Sequence, residues 1–251
     1  MRVLALALLM TLTCASALVS KGVISAATIT PTNFCATIGG TADYCWDWES
    51  ILGGANACTD HPGISSLANA GADCDDPDTN GAGGLYSAAF PKTDTLNDKV
   101  LSTSALFTCN ATTDAGCELR MSYMQTDDCT AVTGSGQAVL VRNGPGDTVD
   151  ISFNTSSEPF ATMQGASNGS AISLTDDVWY EFCLIIDLVN EDATLNVDPE
   201  GDYDCGGTTG TSVTTGTGTV ANDLDQVIIQ DGDDDECIDH YDNIRFCAGG
   251  C

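Results

Sequence analysis

Positive charge is what this sequence lacks most. Seven Lys and Arg stand against 36 Asp and Glu over 251 residues, a formal net charge of −29. So acidic a chain is repelled by nucleic-acid phosphates and anionic lipid headgroups, so neither is an expected partner. Glutamate is scarce among the acids, at only seven of the 36. The rest are Asp, which forms helices poorly but is common in turns and among calcium ligands, so the composition points away from an all-helical protein. Histidine is nearly missing, with only His61 and His240. No Cys-x-x-Cys pair accompanies them, so a zinc ribbon or finger lacks its ligands. No His-Glu-x-x-His occurs, and no two Glu have the Glu-x-Asp-x-x-Glu spacing of jelly-roll glucanases. Retaining glycosidase chemistry needs a carboxylate pair about 5 Å apart, and that spacing would have supplied one. Neither His reads as the base of a serine triad, since His61 precedes Pro62 in a Cys-bounded loop and His240 abuts an acidic run. The expectation is a protein without catalytic residues.

Long apolar runs are also missing. The stretch 3–12 follows the single positive side chain Arg2 and leads to Ala15-Ser16-Ala17, the small-residue pattern that suits signal peptidase. It is shorter than the roughly 20 residues that span a bilayer, so residues 1–17 read as a secretion signal and no membrane insertion is expected after its removal. A cut after Ala27 and a lipid anchor on Cys14 are alternatives.

Cysteine is plentiful. Of 13 Cys, Cys14 lies in the signal, leaving Cys35, Cys45, Cys58, Cys74, Cys109, Cys117, Cys129, Cys183, Cys205, Cys237, Cys247 and Cys251. An even number fits a set of bridges formed in an oxidising, extracellular compartment, with a connectivity the sequence does not give. Asn-x-Ser/Thr sequons at Asn110, Asn154 and Asn168 are acceptors for glycosylation in a host that glycosylates.

Short apolar runs alternate with clusters of Gly, Thr, Asn and Asp, and no stretch keeps a period of 3.6. From Cys117 to Tyr123 the odd positions are apolar and the even ones polar, as on a strand with one face buried. Val149, Ile151 and Phe153 repeat the pattern. The strongest strand, 178–188, puts Val178, Tyr180, Phe182, Leu184, Ile186 and Leu188 on one face, and Asn190-Glu191-Asp192 turns it into a hairpin with 194–197. With 100–107, 137–142, 224–230 and 241–247 the total is eight to ten strands, enough for a two-sheet antiparallel sandwich. Residues 53–84 and 206–222 read as loops.

The order of motifs resembles the MAM domain of extracellular adhesion proteins. Cys45-Trp46-Asp47-Trp48-Glu49 matches its opening, Asp78-Thr79-Asn80 through Leu85-Tyr86 its second segment, Val100-Leu101-Ser102 a strand, Cys117 to Met124 another, and Tyr241-Asp242-Asn243-Ile244-Arg245-Phe246-Cys247 its end. Departures are Trp48 for Phe, Thr79 for His, Thr103 for Pro and Asn243 for the second Asp. The segment from Trp179 to Val197 is more similar to laminin-G and concanavalin-like strand pairs, all of them jelly-roll sandwiches. The resemblance implies a disulfide-rich, all-β jelly roll over residues 35–251, after an N-terminal segment 18–34. It also implies structural Ca²⁺, because relatives bind calcium through residues matching Glu49, Asp78 and Asp242. Strand parity supports this independently: Asp242 falls in step with Ile244 and Phe246, so its carboxylate would face the core, where a lone charge is costly. The acidic run 231–236 lacks the sixth-position Gly of a calcium loop and reads as a solvated loop.

These readings converge on a secreted, non-enzymatic protein for extracellular recognition, adhesion or matrix assembly, with an extracellular protein or glycan as partner. Two rivals belong to other classes. One is a carbohydrate-binding lectin-like module, for which Trp179 is the ligand-binding candidate because its parity is opposite to the apolar face of its strand. The other is a self-associating filament or surface-layer subunit, adding residues 23–30 as a strand to a neighbour's sheet edge.

Overall fold

A computed structural model of the chain describes residues 44–46, 66–68, 88–90, 100–110, 116–125, 136–143, 146–154, 156, 158–199, 212–220, 223–230 and 239–248. All of them belong to the compact unit Pro31–Cys251. The described residues hold no helix. Their thirteen strands are β1 (Tyr44–Trp46), β2 (Ser66–Ala68), β3 (Ala88–Phe90), β4 (Val100–Cys109), β5 (Cys117–Gln125), β6 (Gly136–Asn143), β7 (Asp147–Phe153), β8 (Pro159–Met163), β9 (Tyr180–Asp187), β10 (Asp192–Pro199), β11 (Ser212–Thr217), β12 (Leu224–Gln230) and β13 (Asp239–Ala248).

They form two antiparallel sheets. Seven strands follow the order β1-β13-β5-β9-β10-β11, with β3 also pairing β13, and six follow β2-β4-β12-β6-β7-β8. This is the jelly-roll sandwich that the alternating pattern predicts. Cys117, Leu119, Met121 and Tyr123 of β5 and Phe182, Leu184 and Ile186 of β9 face one core with Val149, Ile151 and Phe153 of β7. At its centre the Tyr123 ring stacks on Phe182 with centroids 4.8 Å apart and meets Phe153 at 5.3 Å. The β9–β10 hairpin forms as expected, closed by Asp187, whose Oδ1 accepts the backbone N–H groups of Val189 and Asn190.

The reading of 206–222 as a loop fails at β11, and that of 53–84 at β2. The physical reason at β11 lies in its core positions. Where an apolar residue would signal a strand, β11 places Thr214, whose Oγ1 accepts the Ala161 N–H at 2.6 Å, and Gly216, where a Cβ would lie 2.6 Å from the Met163 nitrogen. A hydroxyl satisfied inside the sandwich and a backbone approach that only glycine allows leave no hydrophobic period to read. The segment 166–169 covers the outer edge of β11, where Asn168 and Gly169 donate to the Thr215 carbonyl. Along residues 215–217 that edge is therefore already paired.

Candidate functional site

The inner faces of the sheets make the core, so the candidate site is sought on the outer face of the seven-stranded sheet. There the side chains of β13, β5, β9 and β10 fall into matched cross-strand rows. One row runs Asp242, Ser122, Glu181, Asp198, and the next runs Arg245, Arg120, Cys183, Asn196. The third runs Cys247, Glu118, Ile185, Thr194. Opposed side chains in such rows lie within reach of one another. Carboxylates, guanidiniums, hydroxyls and amides are thus gathered on one face of four adjacent strands.

Asp242 reaches this face against the parity argument from sequence. The register between β13 and β5 shifts between Asp242 and Arg245, where three steps on β13 oppose two on β5. The extra residue is a β-bulge, taken up at Asn243 with φ of 52°. Asn tolerates the left-handed conformation better than most residues. The bulge reverses the alternation, so Tyr241, Ile244 and Phe246 all face the core while Asp242 and Arg245 face outward. Asp242 is nevertheless only 1% exposed, and its Oδ1 accepts the Asn243 N–H at 2.8 Å. The Asn243 amide donates to Ser122 Oγ, tying the bulge to β5. The other two calcium candidates, Glu49 and Asp78, lie outside the described residues. Among the described residues no group of three or more His, Cys, Asp or Glu is arranged to hold a metal. Asp242 alone offers one buried oxygen donor of the hard type calcium takes.

The second row carries the positive charge. Arg120 forms an ion pair through Nε with Glu118 on its own strand. Arg245 stands opposite Arg120, 6% exposed. Burial, followed by the Arg120 charge, holds the Arg245 guanidinium below its ordinary pKa, while Glu118 and Glu181 act in the other direction.

Trp179 sits half-buried at the start of β9, its ring edge-on to the buried His240 of β13 with centroids 6.3 Å apart. The approach to β9 is fixed. Asp177 donates its N–H to the Gln125 carbonyl, Gln125 Nε2 donates to Asp176 Oδ1 at 2.7 Å, and Thr175 donates its N–H to the Tyr180 hydroxyl. Trp179 is thereby held at the end of the polar rows. Trp179 and Asp242 are the ligand and metal candidates that the structure brings to this sheet, and the disulfide candidates Cys183 and Cys247 stand in its outer rows.

Cys109 and Cys117 are bonded to each other, joining the end of β4 in one sheet to the start of β5 in the other. Cys183 and Cys247 are also disulfide-bonded. Cys35, Cys45, Cys58, Cys74, Cys129, Cys205, Cys237 and Cys251 have no described side chain. Asn168 is exposed, whereas Asn110 and Asn154 are half-buried. The Asn154 side chain is committed, with Oδ1 accepting the Ser156 and Glu158 N–H groups and Nδ2 donating to Glu158. Residues 23–30 and 231–236 lie outside the described residues.

Sequence reasoning missed Arg120 and Arg245. The signal for Arg120 was its polar slot in the alternation of β5, but Arg245 needed the bulge to be known. It also passed over Gly165-Ala166-Ser167-Asn168-Gly169, which spells the Gly-x-Ser-x-Gly of a nucleophile elbow. The structure gives that segment no such role. Ser167 Oγ donates to the Thr215 carbonyl within an irregular connection, with none of the strand-turn-helix context an elbow requires.

No protein-family model matches the chain, and no curated protein matches it in sequence. Solved structures do match in shape. Lectin II from Ulex europaeus superposes with a TM-score of 0.51 at 7% identity, over 82% of this chain and 98% of that one. The chain shares the legume-lectin sandwich. Peanut lectin gives 0.47 at 7% identity over 81% and 96%, and the cellulose-induced protein Cip1 gives 0.49 at 10% over 83% and 98%. Likeness at such identities establishes the fold, concanavalin-like in the broad sense, and does not extend to the narrower MAM domain.

Proposed function

We propose that this protein is a secreted, non-catalytic carbohydrate-binding module of the lectin-like class, with its sugar site on the outer face of the seven-stranded sheet. The observation that carries the reading is the alignment of the half-buried Arg120, Asn196 and Asp198 in adjacent rows, backed by the buried Ser122 and Glu181 and beside the half-buried Trp179. Sugar hydroxyls both donate and accept, so they are met by carboxylates, amides and guanidiniums held at fixed spacing. An indole edge or face beside them covers the apolar side of a pyranose ring. The sandwich shared with a lectin supports this reading over adhesion or matrix assembly. The paired edge of β11 also favours it over a filament built by strand addition at that edge.

Three further features belong to the same proposal. Calcium acts as a structural cation, with Asp242 as one ligand and Glu49 and Asp78 as the others. Export follows the signal at residues 1–17. Asn168, exposed in its sequon, is the acceptor most open to a glycan, because a sugar on Asn154 would displace the hydrogen bonds that close its turn.

A glycan array probed with the exported chain tests the reading, followed by titration of the strongest hit against Trp179→Ala. Binding that falls at least tenfold in the variant, with its melting temperature unchanged, is the expected result. An array without any hit would refute it.

A further inference from the structure

Arg245 has the carboxylates of Glu118 and Glu181 near it, yet one of its donors is left unmatched. It is 6% exposed, and its Nε is buried without a hydrogen-bond partner. The residue directly opposite is another cation, Arg120, whose own Nε is held by Glu118. Like charges facing each other across two strands destabilise the pair, and a buried guanidinium lacking an acceptor loses its hydration without replacement. Burial, then Arg120, draw the Arg245 pKa down, while Glu118 and Glu181 oppose them.

This arrangement is improbable by composition alone. Only seven Lys and Arg occur in the whole chain, and the described residues contain three, Arg120, Arg142 and Arg245. Arg142 lies in the other sheet, where its Nε donates to Gln226. The two that remain face each other on the surface that carries the polar rows. The Arg120 and Glu118 side chains keep 14% and 12% of their exposure, so solvent reaches this face at Arg120 while Arg245 lies beneath it.

We propose that Arg245 and Arg120 together receive the anionic group of an acidic sugar, either the carboxylate of a uronic acid or a sulfate ester. This rests on the carbohydrate-binding reading and names the class of sugar for that same site. Both groups present coplanar or clustered oxygens that match a guanidinium fork, and one such group between the two Arg relieves their repulsion while giving Arg245 its acceptor. Asn196, half-buried in the same row as the two Arg, then faces the hydroxyls of the ring. Glu118 and Glu181 lie close enough to act on the Arg245 charge, so the pair admits no more than a small excess of negative charge.

The test uses the full exported chain and matched oligosaccharides of gluco, galacto and manno configuration, each as the neutral, uronate and 6-sulfated member, titrated by calorimetry. An acidic member is expected to bind at least tenfold tighter than its neutral counterpart, with the uronate and sulfate arms telling the two sources apart. Raising the salt concentration should narrow that preference. Arg245→Gln is expected to bring the ratio near one. Arg120→Gln, at a more exposed position, repeats the test if Arg245→Gln fails to fold. Neutral and acidic members binding alike, or a ratio unmoved in both variants, would overturn the inference and leave sugar binding standing. No binding in any series would remove the carbohydrate reading itself, and this inference with it.

Discussion

Thr214 Oγ1 accepts the Ala161 N–H at 2.6 Å, a buried hydrogen bond from β11 of one sheet to β8 of the other. It replaces apolar packing at a core position with a directed link between the two edge strands. Thr214→Val keeps the shape but leaves the Ala161 donor buried and unpaired, so it should lower stability by about 1–3 kcal/mol. Thr214→Ser should retain most of it. Chemical denaturation of the three proteins measures this. A valine variant as stable as the parent would mean that the link contributes nothing.

The Cys109–Cys117 bridge closes a loop with a sequence separation of 8 between strands of different sheets. Loop-closure entropy for so short a span corresponds to about 2–3 kcal/mol. The double substitution to Ala is expected to reduce the unfolding free energy by that amount while preserving the far-ultraviolet spectrum of a β protein. Loss of the β signal altogether would show that the bridge directs the fold and does not merely stabilise it.

Much of the sandwich was legible because β5, β7 and β9 bury one face and alternate cleanly, so Leu119, Met121, Ile151, Phe182 and Leu184 announce their strands. β11 was not, because its inward positions are Thr214 and Gly216, chosen by a hydrogen bond and a close backbone approach. The site was legible only in part. Trp179 stands out by opposing the apolar parity of β9, and its ring meets His240 of β13. Asp242 was singled out for a core-facing carboxylate, but the bulge at Asn243 turns it outward, and bulges follow from pairing between strands distant in sequence. The meeting of Arg120 with Arg245 depends on the same register and is invisible to any local pattern.

Asp187 sets the pH behaviour of the β9–β10 hairpin. Hydrogen bonds from Asn190 and Val189 hold its carboxyl below the usual 3.8, against a smaller opposing effect of burial. A depressed carboxyl pKa contributes stability that is present above 3.8 and is lost as pH falls through the lower folded value. Asp187→Ala should therefore loosen the hairpin at neutral pH, with the difference from the parent vanishing as pH falls below 3.8. Amide exchange at Val189 and Asn190 across an acid titration reads this out. A difference that persists unchanged in strong acid would contradict it.

Calcium makes a separate prediction. A cation held by Asp242 would neutralise a carboxylate that is 1% exposed, so chelation should lower the melting temperature and Asp242→Asn should abolish the calcium dependence. Elemental analysis finding no calcium, with melts identical in calcium and chelator, would eliminate the cation.

The most direct measurement is nuclear magnetic resonance mapping of amide shifts in the isotope-labelled chain as the best array ligand is added. Shifts are expected to concentrate at Ser122, Glu181, Asn196 and Asp198 and at the indole of Trp179, with β6, β7 and β12 of the other sheet undisturbed. Shifts confined to that other sheet, or none at saturating sugar, would contradict a carbohydrate site on the seven-stranded face.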